Sequence, residues 1–398
     1  MRNLIGRSFR KFAVLESASS LLLIGCTLVA LFWANSGGRD AYHHLREFRP
    51  GFGTSDASLG LSFESFVNDA LMAVFFLLVG LEIKRELLGG ELASVKRAAL
   101  PVLAAVGGMI VPAGIFIAWN HGLPGAQGWG IPMATDIAFA LGVLMLLGRR
   151  IPIGLKVFLV ALAIIDDLGA ILVIAVFYTG QLHLTYLLGA LGVLAGLSLL
   201  NRGGVRHPVP YAIGGVLLWM CVFHSGIHAT IAGVLLAFCI PFRNPVGGIK
   251  NARNTEPLLT RLESRLHPFV SFGILPLFAL MNAGVTLSPV VLHQVFEPLG
   301  IGILLGLCIG KPVGITLFAW LAVRFGIAAL PSGTSWAQLA GAGVLGGIGF
   351  TMSIFIAGLG LTGHTLLDGA KVAILCASVV SGASGYLVLR MLERRMPA

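Results

Sequence analysis

Charge is scarce in this sequence. Asp, Glu, Lys and Arg make up 11% of its 398 residues, against about 25% in soluble globular domains. With 57% hydrophobic residues and a mean hydropathy of +0.92, the scarcity excludes an ordinary soluble domain. Cysteine is sparse too. Cys26, Cys221, Cys239, Cys308 and Cys376 lie far apart inside apolar runs, with no CxxC or Cys/His spacing. That excludes a disulfide framework and a zinc module and leaves small apolar packing residues. No low-complexity linker or long polar stretch interrupts the chain, so residues 1–398 read as one integral membrane domain.

Long apolar runs take the place of the missing charge. Each has about 20 residues, enough to cross about 30 Å of hydrocarbon. Window reading predicts an all-α polytopic membrane protein of about 12 transmembrane helices. The spans fall near 13–33, 63–87, 98–118, 127–147, 153–176, 183–200, 208–223, 226–241, 258–283, 299–323, 336–358 and 367–389. The basic start, MRNLIGRSFRK, resembles a signal peptide, but no A-x-A-like site follows, so a retained first helix is expected.

A net charge of +10 invites a nucleic-acid reading, and its distribution argues against one. Most of the 27 Lys and Arg fall on one side of the span pattern. Arg2, Arg7, Arg10 and Lys11 precede the first span, and Lys84, Arg85, Lys96 and Arg97 follow the second. Arg149, Arg150 and Lys156 follow the fourth, and Arg243, Lys250, Arg253, Arg261 and Arg265 follow the eighth. The opposite side has Arg39, Arg46 and Arg49. By the positive-inside rule both termini are cytoplasmic. The basic charge marks membrane orientation, with lipid as the partner and no nucleic acid.

Against this background a few ionisable residues stand at membrane depth: Asp69, Asp136, Asp166, Asp167 and Lys311. A charge at the bilayer centre costs at least about 2.5–3.5 kcal/mol, and such residues usually line aqueous cavities or pair with one another. In ALAIIDDLGA (161–170) two acids are adjacent. Neighbouring helix positions point about 100° apart, so the two cannot share one environment. One can meet a partner such as Lys311 while the other faces an aqueous site. Carboxylates in an apolar surround take hard cations, Na⁺ or Li⁺, or protons. Competition between H⁺ and a cation for one site couples their movements, which is the physical basis of antiport. A buried Asp–Lys pair serving only the fold is the alternative.

Two spans are interrupted. GWGIPMATDIAFALG carries Pro132 before Thr135 and Asp136, and GAGVLGGIGFTMSIFIAG carries Gly346, Gly347 and Gly349 before Thr351. They are the middle members of spans 3–5 and 10–12, which the orientation rule makes inverted repeats. Paired interrupted helices in inverted repeats point to a transport site at the midplane. Facing half-helix N-termini are partly positive and C-termini partly negative, so Asp136 is expected to neutralise the first and Lys311 the second.

These motifs together resemble the NhaA family of bacterial sodium/proton antiporters. The resemblance rests on NDALMAVFFLLVGLEIKREL (68–87), PMATDIAFALGVL (132–144), ALAIIDDLGAI (161–171), SGIHATIAG (225–233), RLESRLHPFV (261–270), LPLFALMNAGV (275–285), IGKPVGI (309–315) and GGIGFTMSIFIA (346–357). Inverted repeats with broken helices are an established architecture of that family. The resemblance implies electrogenic Na⁺(Li⁺)/H⁺ exchange that extrudes sodium, not enzymatic activity, with no cofactor beyond the transported ions. It implies Asp167 as the main cation ligand, Asp166 as the proton-linked partner of Lys311, and Asp166 and Thr135 as further Na⁺ ligands. Thr135, Asp136, Gly349 and Thr351 would form the crossing, and Asp69 an accessory acid. Glu82, Arg85, Glu86, His228, Glu263 and His267 would carry a pH response. A bacterial inner-membrane location is implied, and a homodimer through a hairpin after span 1. Residues 35–61 and the stretch RNPVGGIKNARNTEPLLT (243–260) depart from the family pattern.

Two other functions use some of the same features. An intramembrane aspartyl protease needs two membrane acids, but on separate helices and with a GxGD stretch; adjacent acids cannot straddle a scissile bond. A sodium-coupled organic-anion symporter would need a polar pocket for its substrate, and the spans supply none.

Overall fold

The computed structural model describes residues 2–49, 61–148, 151–242 and 256–394, with side chains from residue 18 to 393. All elements among the described residues are helical. They are α1 (Arg2–Ala34), α2 (Arg39–Glu47), α3 (Phe63–Gly89), α4 (Val95–Asn120), the 3₁₀ segment α5 (Ala126–Met133) and α6 (Ile137–Leu146). There follow α7 (Ile153–Phe177), α8 (Leu184–Arg202), α9 (Pro208–Ser225), α10 (Ile231–Cys239) and α11 (Leu258–Asn282). The last are α12 (Pro289–Gln294), α13 (Pro298–Arg324), α14 (Trp336–Gly346), α15 (Phe350–Gly360) and α16 (His364–Arg394).

The chain is a polytopic membrane protein. Nine described helices are long and apolar enough to cross a membrane, or eleven if two bent pairs each count as one span. The pairs are Ala18–Ala34 with α2, bent by 114°, and α14 with α15, bent by 45°. The eighth expected span, 226–241, is not among these spans, because its helix Ile231–Cys239 has only nine residues. The sequence SGIHAT begins it with Gly226 in a left-handed turn, and a regular helix starts only at Ile231. Part of the expected hairpin (50–60), most of the divergent 243–260 stretch, and Arg149 and Arg150 lie outside the described residues.

The chain forms two compact units. The first comprises residues 1–43, 94–170 and 279–398. Its α4 and α13 meet along a seam of glycines. Gly107 faces Gly314, Gly310 faces Pro112, and Gly302 faces Phe116 and Asn120. One number rises as the other falls, so α4 and α13 run antiparallel, as inverted repeats require of spans 3 and 10. The approach is tight: a methyl at Gly310 would stand 2.7 Å from the Pro112 Cα. Small residues let membrane helices come this close. Just before Lys311, α13 widens into a π-turn, Gly306–Gly310.

The second unit comprises residues 44–93 and 171–278. Here α3 and α10 run parallel, Gly80 against Ala237 and Gly233 against Ala73. Leu81, Leu218, Leu236 and Ala237 form its buried core together with Tyr211. Lys84 donates to the carbonyls of Phe238 (2.7 Å) and Ile240, capping the C-terminal end of α10. A lysine there complements the negative helix end.

Candidate functional site

Both interrupted spans are broken where the sequence placed the breaks. Between α5 and α6 the backbone of Ala134 and Asp136 is extended. Gly347–Gly349 separates α14 from α15. The segments cross at these breaks, where the Asp136 N–H donates to the Ile348 carbonyl at 2.7 Å. Broken helices leave backbone groups without intrahelical partners, and each segment supplies caps to the other.

Asp136 serves two N-termini. It is the N-cap of α6, its Oδ1 accepting from the Phe139 N–H at 3.0 Å. Its Oδ2 accepts from the Thr351 N–H at 3.2 Å and from the Thr351 hydroxyl, in the first turn of α15. Asp136 is buried, with 2% exposure, and lies where both helices present partial positive charge. The C-terminal ends are met by hydroxyls. Thr135 lies within 2.8 Å of the Gly346 carbonyl at the end of α14, and the Ser353 hydroxyl donates to the Ile131 carbonyl in α5 at 2.8 Å. Phe350, next to capping residue Gly349, has φ +20° and donates its N–H to Ser378 Oγ at 3.1 Å. A positive φ at a bulky residue is strained, at about 1–3 kcal/mol.

The adjacent acids lie on α7, both buried. Lys311 is fully buried and donates to Asp166 Oδ2 and, at 2.7 Å, to Thr135 Oγ1. The Thr135 hydroxyl is itself 2.6 Å from Asp166 Oδ2. Thr135 thus stands between Lys311 and the carbonyl end of α14. The sequence-predicted pairing of Lys311 with one acid holds, and that acid is Asp166. The other Asp166 oxygen, Oδ1, is buried and accepts no hydrogen bond. Asp167, one position on, points about 100° away around the helix. Asp166, Thr135 and Lys311 are thus within bonding reach of one another, and Asp167 lies next to Asp166 on α7, equally buried. The oxygen-rich, water-excluded set can take a hard cation or hold a proton.

The remaining site candidates lie in the second unit, in two groups. Asp69 lies in the π-turn Phe66–Leu71 of α3, its carboxylate 3.7 Å from His228 Nε2. The Trp219 indole donates to its backbone carbonyl at 3.1 Å, and His228 Nδ1 lies 2.8 Å from Thr230 Oγ1. The family resemblance implies separate roles for Asp69 and His228, and the fold makes them neighbours. In the second group Arg85 lies 3.1 Å from Glu86 and 3.0 Å from Glu263. His267 is one turn beyond Glu263 on α11 and interacts with it. Glu82 is half-buried on α3.

Several supporting residues escaped the sequence reading. Ser353 and Ser378 carry no signal in one sequence beyond being polar in an apolar run. Lys84 and Lys156 looked like orientation charges because they border spans. Lys156 is nonetheless buried.

A family model described as Na⁺/H⁺ antiporter 1 matches residues 10–389. A protein of Oleidesulfovibrio alaskensis named Na(+)/H(+) antiporter NhaA is 48% identical, over 97% of this chain and 94% of its own length. One from Pseudomonas syringae pv. syringae, named Na(+)/H(+) antiporter NhaA 2, is 51% identical over 97% and 95%. One from Shigella dysenteriae serotype 1, named Na(+)/H(+) antiporter NhaA, is 49% identical over 97% and 98%.

Proposed function

The chain belongs to the Na⁺/H⁺ antiporter 1 family, a family of transporters and not of enzymes, and from that premise we propose how it works. It exchanges Na⁺ for H⁺ because both compete for the carboxylates of Asp166 and Asp167. The observation that carries this reading is the buried cluster in which Lys311 and Thr135 both meet Asp166, beside Asp167.

An entering Na⁺, or Li⁺, takes oxygen ligands from Asp167, Asp166 and Thr135. Its charge competes with the Lys311 ammonium for Asp166 and favours the ionised form of both acids. Protons leave as the cation enters. One proton leaves Asp167 and another leaves the Asp166–Lys311 pair as the cation binds, the three groups titrating as one coupled unit, so more than one proton moves per cation and exchange is electrogenic. Inward proton flow then drives sodium out of the cell. Gly349 and Thr351 complete the crossing with Asp136, whose fixed negative charge holds the half-helix ends together. Asp69 is an accessory acid. The groups around His228 and around Arg85, Glu86, Glu263, His267 and Glu82 tune the response to pH. The whole chain works as one transporter in the bacterial inner membrane, as a homodimer in lipid with both termini cytoplasmic, and with no cofactor beyond the transported ions.

Everted vesicles carrying a ΔpH-quenched dye test the reading. Dequenching on addition of Na⁺ or Li⁺ is expected. Absence of a response at every pH would overturn it, and a response requiring an organic anion would favour symport.

A further inference from the structure

Lys156 has no place in the cation chemistry above, and its position in the sequence marks it as an orientation charge at the cytoplasmic start of α7. Such a charge stays in water. Lys156 is 7% exposed, and lysine is almost never buried without a partner. Its Nζ donates to the Gly148 carbonyl at 3.1 Å. Gly148 has φ +77°, the left-handed conformation that terminates helices. The helix it terminates is α6, whose other end is Asp136.

α6 has ten residues and is about 15 Å long at 1.5 Å per residue. Its N-terminal end is held at the crossing by Asp136. Near that end Ser20 donates to the Ala138 carbonyl at 2.8 Å. Its C-terminal end is held by an ammonium from α7, the helix that carries Asp166 and Asp167. A short rod pinned at one end tilts about that pin. Pinned at both ends, it keeps a fixed height against the helix that holds it. A cation at a helix C-terminus also lowers the energy of the helix dipole.

We propose that Lys156 is a positioning residue for cation exchange. It anchors the carbonyl end of α6 to α7, so that Thr135 and Asp136 stay in register with Asp166 and Asp167. This inference rests on the antiport reading above. It predicts a defect in cation affinity more than in maximal rate, because the misplaced groups are those that meet the bound ion.

The test uses full-length protein in everted vesicles, with Na⁺ titrations at fixed alkaline pH and thermal stability measured in parallel. Lys156→Met keeps the apolar stem and removes the ammonium. Its apparent KM for Na⁺ should rise about three- to tenfold while the maximal rate stays within twofold. Lys156→Arg, which can still donate to the carbonyl, should restore KM to within twofold of wild type. Gly148→Ala strains the left-handed turn from the other side of the contact and should raise KM in the same direction, which decides the matter if Lys156→Met does not fold. A wild-type KM in folded Lys156→Met, or in Gly148→Ala where the methionine variant is lost, overturns the proposal. So does an equal KM defect in Lys156→Arg. Failure of the wild-type protein itself to answer Na⁺ would instead overturn the antiport reading.

Discussion

At the scale of single residues, the buried charges separate by what each one touches. Asp166 is tied to Lys311 and Thr135, so replacing it disturbs a network. Asp167 is the sharper probe of cation binding. Asp167→Asn should leave the protein folded and abolish exchange, because an amide neither releases a proton nor offers a full negative charge. Near-normal Na⁺-dependent proton release from well-expressed Asp167→Asn would refute its role as main ligand. Lys311 and Asp166 form a buried ion pair, and removing one partner of such a pair typically costs about 3–5 kcal/mol, while replacing both with apolar groups costs far less. Lys311→Met should therefore lower the thermal midpoint in detergent by several degrees. The double variant Lys311→Met with Asp166→Leu should recover much of that loss. Equal, additive losses would mean that the pair does not couple in the folded protein. Both acids and the lysine were legible in the sequence because charge is so rare in the spans. The choice of Asp166 as the lysine's partner was not legible from spacing alone, since it depends on how α7 is rotated against α13.

At the scale of elements, the breaks in the two crossing segments were readable from Pro132 and the glycines 346–349. What escaped the reading was how the freed backbone groups are satisfied. That depends on Thr135, Ser353 and Ser378, which meet partners far away in the chain. α10, nine residues long, could not be told from a full-length helix, because an apolar run looks the same whether or not its first turn is helical. It ends on Lys84 as α6 ends on Lys156. In each unit, then, a helix too short to cross the membrane alone is closed by a lysine from a longer one. Asp136→Ala removes the shared cap of α6 and α15. A charge at a helix N-terminus contributes typically about 0.3–1 kcal/mol, and up to about 2 when partly buried. The variant should show a raised apparent KM for Na⁺ with partial activity. Complete loss in a folded Asp136→Ala protein would make Asp136 a cation ligand instead.

For the whole molecule, competition at one shared site sets the response to pH. Protons occupy the carboxylates more fully as pH falls, so the apparent KM for Na⁺ should rise steeply towards acid pH. Reversal potentials in proteoliposomes under set Na⁺ and pH gradients should report net charge movement per turnover. An electroneutral cycle, or a KM that does not change with pH, would rule out shared-site exchange. The polytopic architecture followed from hydropathy and the placement of Lys and Arg. The division into two compact units did not, because apolar periodicity records what each helix buries and not which helices pack together. The double cap at Asp136 carries a further consequence, readable in deuterium uptake. The amides of Phe139 and Thr351 belong to distant parts of the chain but share one carboxylate as acceptor. Removing that carboxylate frees both hydrogens at once. Peptides covering the starts of α6 and α15 should therefore gain deuterium together in Asp136→Ala.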